Sequence, residues 1–201
     1  MINAELNLEN LPEEWLWASF EEIVENFDGQ RVPVSRTERA KRNGDFPYYG
    51  ASGIIDSIDG YLFDGNYLLI AEDGANLLSR STPIDFEASG KFWVNNHAHI
   101  LKPLDGMVSY WSAVLAQIVY DPWISGSAQP KLTGESLGTI PLSFPPGDER
   151  VAIEQYLNAQ SARFDVLKTK INEAIALLRE KRTALISAAV TGKIKVEGGE
   201  G

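Results

Sequence analysis

His97 and His99 are the only histidines in the chain, and they stand two positions apart. On a strand that spacing puts both on one face, as a metal pair requires. No third ligand accompanies them: Asn95 and Asn96 are poor zinc ligands, and cysteine is absent. Structural or polar contacts are therefore expected of both histidines, and no metal is expected. A second group, Arg31, Arg36, Arg39, Lys41 and Arg42, falls within twelve residues with only Glu38 against it. Such a cluster can grip phosphates, or it can be a solvated loop balancing the acidic segment before it. Glu72-Asp73 has the makings of an acid pair, and a strand-ending turn accounts for it equally well. The most informative loop is Ser125-Gly126-Ser127-Ala128-Gln129-Pro130-Lys131-Leu132, whose Gln and Lys side chains suit base edges and phosphates. Composition alone makes it only an exposed loop.

Most catalytic signatures are missing. There is no phosphate-binding glycine loop of either common kind and no Gly-x-Ser-x-Gly elbow. The Asn/Asp-Pro-Pro-Tyr/Phe motif of amino-methyltransferases is absent, since Phe144 precedes Pro145-Pro146. No spaced Asp and Glu-x-Lys set of the common nuclease type stands out. The net charge of −10 over 201 residues works against unassisted nucleic-acid binding. That charge is unevenly spread: eight acidic and no basic residues precede Gly29, and a binding face is a local property. Hydrophobic residues at 44% and aromatics at 10% fit a globular protein. The lack of cysteine suits a reducing cytoplasm. The start Met1-Ile2-Asn3-Ala4-Glu5 has no basic or apolar leader, and no apolar run approaches membrane-spanning length. A cytoplasmic location is expected.

The elements that must position these residues are short. Trp15–Phe20 alternates as a strand, and Ser19 is placed to cap a brief helix with Glu21 and Glu22 in its first turn. Residues 31–44 show little periodicity and are expected as a loop with a basic rim. Phe46–Gly53 is a turn-rich aromatic segment, Ile54–Ile58 is β-like, and Asp59-Gly60 has the form of a hairpin turn. Asp64-Gly65-Asn66 is expected to turn again before the buried strand Tyr67–Ala71. Phe92–Val94 and His97–Leu101 read as strands, Met107–Tyr120 as a helix, Ile124–Leu132 as a polar loop and Ile140–Phe144 as a final extended segment. Pro145-Pro146-Gly147 then stops the chain before a long helix, with Asp148 as its N-cap.

That helix is the longest pattern in the sequence. Leu157, Phe164, Ile171, Leu178 and Leu185 recur every seventh residue, the period of a coiled-coil seam. The positions three further on are mixed: Gln160, Leu167, Ala174, Lys181 and Ala188. No proline or glycine interrupts Asp148–Thr191, which would span about 60 Å. No other stretch matches it, so its partner is expected to be another chain. Gly192 ends it, and a frayed, flexible tail is expected over 192–201.

The order of segments resembles one half of the specificity subunit of type I restriction–modification systems. Leu11-Pro12-Glu13-Glu14-Trp15 is similar to that family's domain start. Tyr48–Ile55 followed by Leu68–Ala75 resembles one subgroup of its target recognition domains. Asn95–Leu101 matches a strand in the same place. Gly126–Leu132, Ile140-Pro141-Leu142 and Pro145-Pro146 resemble the passage into the family's conserved helix, and Arg179–Ile186 through Ala189–Ile194 resembles that helix's end. The resemblance covers nearly the whole chain, and its specificity lies in the combination and order. Two departures stand out. The family's subunit holds two recognition domains and two long helices packed antiparallel, whereas this chain has one of each. It also carries Glu149-Arg150 where Glu-Gln is commoner.

The resemblance implies an α+β fold: a target recognition domain of short mixed strands with small helices over 1–147, then one long coiled-coil helix over 148–191. It implies a non-catalytic reader of double-stranded DNA whose helix docks methylation subunits, with restriction subunits joining the complex. No cofactor is expected in this chain; S-adenosylmethionine belongs to the partner methylation subunit. Each recognition domain would read a few base pairs of a split site, with adenine methylation directed there. A homodimer is expected through Leu157, Phe164, Leu167, Ile171, Ala174, Leu178 and Leu185, and no membrane is involved. Arg31, Arg36, Arg39, Lys41 and Arg42 would position phosphates, while Tyr49, Asn95, Asn96, Gln129 and Lys131 would face bases or grooves. Two rivals stand beside this reading. One is a nuclease or methyltransferase in its own right. The other is a coiled-coil regulator or orphan half-subunit that competes for methylation subunits without reading DNA.

Overall fold

A computed structural model describes residues 12–195. The chain divides into two compact units, parted between Gln155 and Tyr156. The first unit runs β1 (Leu16–Ser19), α1 (Phe20–Ile23), β2 (Val24–Asn26), α2 (Arg36–Arg39), β3 (Phe46–Gly50), β4 (Gly53–Ile58) and β5 (Phe63–Ala71). It continues through α3 (Asn76–Ser79), β6 (Asp85–Val94), β7 (Ala98–Pro103), α4 (Val108–Leu115), β8 (Ile124–Ser125), β9 (Lys131–Leu132), α5 (Gly134–Gly138) and β10 (Pro141–Phe144). It closes on the start of α6 (Gly147–Val190). The fold is α+β, the class expected from the sequence.

Six strands form one sheet in the order β2-β7-β5-β6-β3-β4, antiparallel except where β3 runs alongside β6. Its centre is β5, where Tyr67–Ala71 are buried without a break. The period of two explains why this strand lacks polar alternation: both faces are covered. Leu68 and Ile70 pack with Val108, Trp111 and Leu115, which line one side of α4 at helical spacing. Tyr67 and Leu69 turn the other way, into an aromatic cluster with Tyr49, Phe63 and Phe92. There the Phe63 and Phe92 rings stack at 5.6 Å and Tyr67 meets both edge-on. β1 and β10 pair in a separate antiparallel ribbon, with Leu16 opposite Phe144. The first turn of α6 is fastened to this unit by Arg150, 3.0 Å from Asp105, whose carboxylate also accepts the Trp111 indole N–H.

Several local expectations change. Residues 31–44 are not a plain loop: Ser35 accepts from the Glu38 N–H and caps α2. Asp59-Gly60 does not close a hairpin, because β4 pairs with β3 rather than β5. Asp64-Gly65-Asn66 does not turn but lies within β5, where Gly65 takes a φ of 135° opposite Gly90. The helix expected over Met107–Tyr120 stops at Leu115 and continues as turns. The loop at 124–132 is a two-stranded hairpin of β8 and β9. His97 and His99 do not share a strand, since β7 begins at Ala98.

The second unit is the remainder of α6. Helical geometry begins at Gly147, so Asp148 and Glu149 occupy the first turn, where their charges complement the dipole, and Asp148 is not the N-cap. Among its described residues none is buried. At the far end Gly192 adopts a φ of 70°, the Lys193 N–H donates to Ala188 O at 2.8 Å and the Gly192 N–H to Ala189 O at 3.2 Å. This is the glycine-dependent Schellman end. Of the tail expected over 192–201, residues 196–201 lie outside the described range, as do 1–11, with most of the Leu11–Trp15 start retained.

Candidate nucleic-acid interface

Four connecting segments meet on one rim of the first unit. They are the β3–β4 turn, the β5–α3 loop, the β6–β7 turn and the β8–β9 loop. Backbone hydrogen bonds tie each to the next. The Asn95 N–H donates to Tyr49 O at 3.0 Å, the Glu72 N–H to His97 O at 2.9 Å, and the Gly74 N–H to Pro130 O at 3.0 Å. The Leu132 N–H returns to Glu72 O at 2.8 Å. Asn95, Asn96, Gln129 and Lys131, drawn from two distant stretches, are thereby brought together. Asn96, Gln129 and Lys131 are exposed, and Asn95 is 9% exposed. Tyr49 is likewise only 9% exposed: its ring stacks on Phe86 at 5.8 Å and meets Phe92 edge-on. That burial raises its phenol pKa.

A polar network underpins the rim. Glu72 receives Arg31 at 2.6 Å and Lys131 at 3.1 Å on its two carboxylate oxygens. Arg31 also donates to Ala98 O at 2.9 Å and to Asp28 O at 3.0 Å. Asp28 in turn accepts the Ile100 N–H at 2.9 Å and faces His99 Nδ1 at 2.6 Å, while His99 Nε2 lies 2.8 Å from Leu132 O. Both nitrogens of this buried ring thus face oxygen acceptors. Burial pushes the Asp28 carboxyl up, but the His99 contact, the Ile100 N–H and the Arg31 charge outweigh it and hold the carboxyl below its ordinary value. Glu72 behaves the same way, with burial overcome by Arg31 and Lys131. The pair Glu72-Asp73 thus serves as an anchor, with Asp73 reaching His97 Nδ1 at 2.9 Å. Among the described residues no group of three or more acidic, His or Cys side chains is disposed to hold a metal ion.

The basic cluster divides. Arg39 pairs with Asp56 at 2.9 Å, donates to Val34 O at 2.6 Å and covers the Tyr48 ring. Arg42 pairs with Asp59 at 2.8 Å and lies over Trp93. Arg31 is the strut already described, only 15% exposed along its side chain. These three guanidiniums brace the sheet against its own carboxylates. Arg36 and Lys41 are exposed and form no ion pair among the described residues. Two features escaped the sequence reading. One is the Glu72 anchor, whose partners lie 41 residues before it and 59 after it. The other is the pair Ile54 and Ile55, 61% and 51% exposed at the rim, whose signal was two branched residues directly after a Ser-Gly turn.

Of the residues expected at a helix seam, Phe164, Leu167, Ile171, Ala174, Leu178 and Leu185 are exposed and Leu157 partly so. Ile175, four residues beyond Ile171, joins the same stripe.

Comparison with known proteins agrees with this geometry. The family model described as type I restriction modification DNA specificity domain matches residues 12–184. A Haemophilus influenzae protein assigned as a type I restriction enzyme specificity subunit is 33% identical over 147 residues, 73% of this chain and 37% of that protein. The EcoprrI specificity subunit of Escherichia coli is 29% identical over 154 residues, 76% of this chain and 36% of that one. The chain therefore spans a little over a third of the length of these relatives. In fold it matches a chain from a type I R-M system solved for its complex assembly and conformational transition. The TM-score is 0.63 at 19% identity, covering 90% of this chain and 46% of that one. It also matches the S subunit of the type I restriction-modification system from M. genitalium, with a TM-score of 0.61 at 13% identity over 77% and 41% of the two chains. With the family model spanning residues 12–184, the chain belongs to the type I restriction modification DNA specificity domain family.

Proposed function

We propose that this chain is the non-catalytic DNA reader of a type I restriction–modification complex, directing adenine methylation and restriction to a split target site. The observation that carries the reading is the rim: four loops, locked to one another by backbone hydrogen bonds, present amides and a lysine on one surface. Reading a base edge requires donors and acceptors held in fixed positions, and this rim supplies them. Phosphate positioning falls to the exposed cations Arg36, Lys41 and Lys131, while Arg31, Arg39 and Arg42 hold the scaffold that aims them.

The domain boundaries follow from the same division of labour: recognition over 1–147, and a helix over 148–191 that joins copies and docks methylation subunits. The helix carries an apolar stripe, and a second copy running antiparallel would cover it. Two-fold symmetry would then make the target an interrupted palindrome. Assembly with methylation and restriction subunits also accounts for the net charge of −10, since the reader need not grip phosphates unaided. The test is methylome sequencing of cells that express the chain with its methylation subunit. Adenine modification within one split motif is the expected result. Modification that stays absent, or that is scattered without a motif, refutes the reading.

A further inference from the structure

The rim carries one arrangement whose chemistry is more specific than its general polarity. In the β3–β4 hairpin, Tyr49 lies opposite Ile54 and Tyr48 opposite Asp56, so Ile55 is a surplus residue at a bulge. Bulges re-aim the side chain they carry. Here the Ile55 side chain is laid across Gly50: a Cβ at position 50 would stand 2.9 Å from Ile55 Cδ1 and 3.2 Å from Cγ2. The same point lies 3.4 Å from Asn95 Nδ2. An apolar branched side chain, 51% exposed, and an amide nitrogen therefore flank one spot.

The Asn95 amide is oriented by chemistry. Its Oδ1 accepts the His97 N–H at 2.8 Å, and its own N–H is held by Tyr49 O. A backbone N–H facing Oδ1 leaves Nδ2 as the donor end of the amide. Nδ2 has no hydrogen-bond partner among the described residues, and it is not one of the unpartnered atoms sealed from solvent, which there are Trp15 Nε1 and Arg150 Nε. The rim thus offers a fixed donor directly beside an apolar surface.

Among base edges in the major groove, one matches that pair. Thymine presents the O4 acceptor beside its C5 methyl group. Cytosine offers a donor where Nδ2 needs an acceptor. Guanine and adenine offer acceptors but no methyl group for Ile55. We propose that Asn95 and Ile55 together read the major-groove edge of a thymine. This rests on the DNA-reading function proposed above and names one base that it reads.

The test uses the full chain assembled with its methylation subunit, on target duplexes in which each thymine in turn is replaced by deoxyuridine. That replacement removes only the methyl group. One thymine in each half-site is expected to show about fourfold weaker binding, the worth of one buried methyl group. Ile55→Ala is expected to remove that thymine–uracil difference while leaving the other positions unchanged. Ile55 is half exposed, so the melting temperature of this variant checks that it folds. Asn95→Asp keeps the acceptor for the His97 N–H but replaces the donor, and it shifts preference at the same position from thymine towards cytosine. If no single replacement alters wild-type binding, or the effect persists in Ile55→Ala, the thymine assignment falls while DNA reading stands. If the assembly shows no sequence preference on any duplex, both fall together.

Discussion

The two units handle their apolar and charged residues in opposite ways. In the first, Leu68, Leu69, Ile70, Phe92 and Trp111 are fully buried, and Arg31, Arg39, Arg42, Lys131 and Arg150 each meet a carboxylate. In the second, Phe164 is 67% exposed and Leu178 is 65% exposed, and nothing along the described helix is buried. A domain of the first kind carries its stability within itself. A helix of the second kind draws most of its stability from a packed face. The contrast teaches that the first unit is packed within itself, whereas the second presents an apolar stripe left uncovered among the described residues.

The largest effect should therefore come from charging the stripe. Ile171→Glu, or Leu178→Glu, places two carboxylates in the seam of a symmetric dimer, one from each copy. We expect association to be abolished, so that the mass by light scattering falls to that of one chain at all concentrations. The first unit should keep its near-UV circular dichroism. A wild-type mass equal to one chain, independent of concentration, would remove the dimer from the proposal.

The converse experiment damages the first unit and spares the helix. Phe92→Ala removes a fully buried ring that stacks on Phe63 and meets Tyr49 and Tyr67. The expected loss is about 3–5 kcal/mol in denaturant unfolding of the recognition unit. Helix association should persist, because none of these rings lies beyond Gln155. A joint loss of both would show that the two units do not behave independently.

The same contrast explains what the sequence disclosed. The helix was legible because its signal is local: a seven-residue period in Leu157, Phe164, Ile171, Leu178 and Leu185, closed by Gly192. The buried run Tyr67–Ala71 was legible for the same reason. The pairing of β4 with β3, and not with β5, was hidden because Asp59-Gly60 has a hairpin composition while partner choice is a long-range property. The rim was partly visible. Asn95, Asn96, Gln129 and Lys131 stand out by residue type, and the structure assembles them. The engagement of Arg31 with Glu72 and Ala98 was invisible, since residues 31, 72 and 98 meet only in the folded sheet.

The polar network beneath the rim gives an intermediate effect. Asp28→Asn removes the charge facing His99 and Arg31, with an expected loss of about 3 kcal/mol, the scale for breaking a buried pair. The pH dependence has a definite sign. Asp28 and Glu72 both have folded pKa values below the ordinary 3.8 and 4.5. Their stabilisation is complete above those ordinary values and is lost as pH falls through the lower folded values. Acid unfolding of the wild type should therefore steepen below about pH 4.5, and Asp28→Asn should flatten that limb. An unchanged limb would mean that the network carries no stability.

The smallest effect on folding, and the most telling for function, belongs to the exposed side of the same network. Lys131 reaches Glu72 but is half exposed along its side chain, so Lys131→Ala should cost less than about 1 kcal/mol of stability. If it releases Glu72 and meets a phosphate on binding, its removal should weaken binding to all sequences alike and lower the salt slope by about one ion. Gln129→Ala, two residues away, removes no charge. It should leave the salt slope unchanged and relax preference at one base pair, by about 1–3 kcal/mol. Equal changes in salt slope for the two variants would place both residues on the backbone. No change in either binding or methylation-site choice would remove the β8–β9 loop from the interface and leave the reading to the turns at Gly50 and Asn95.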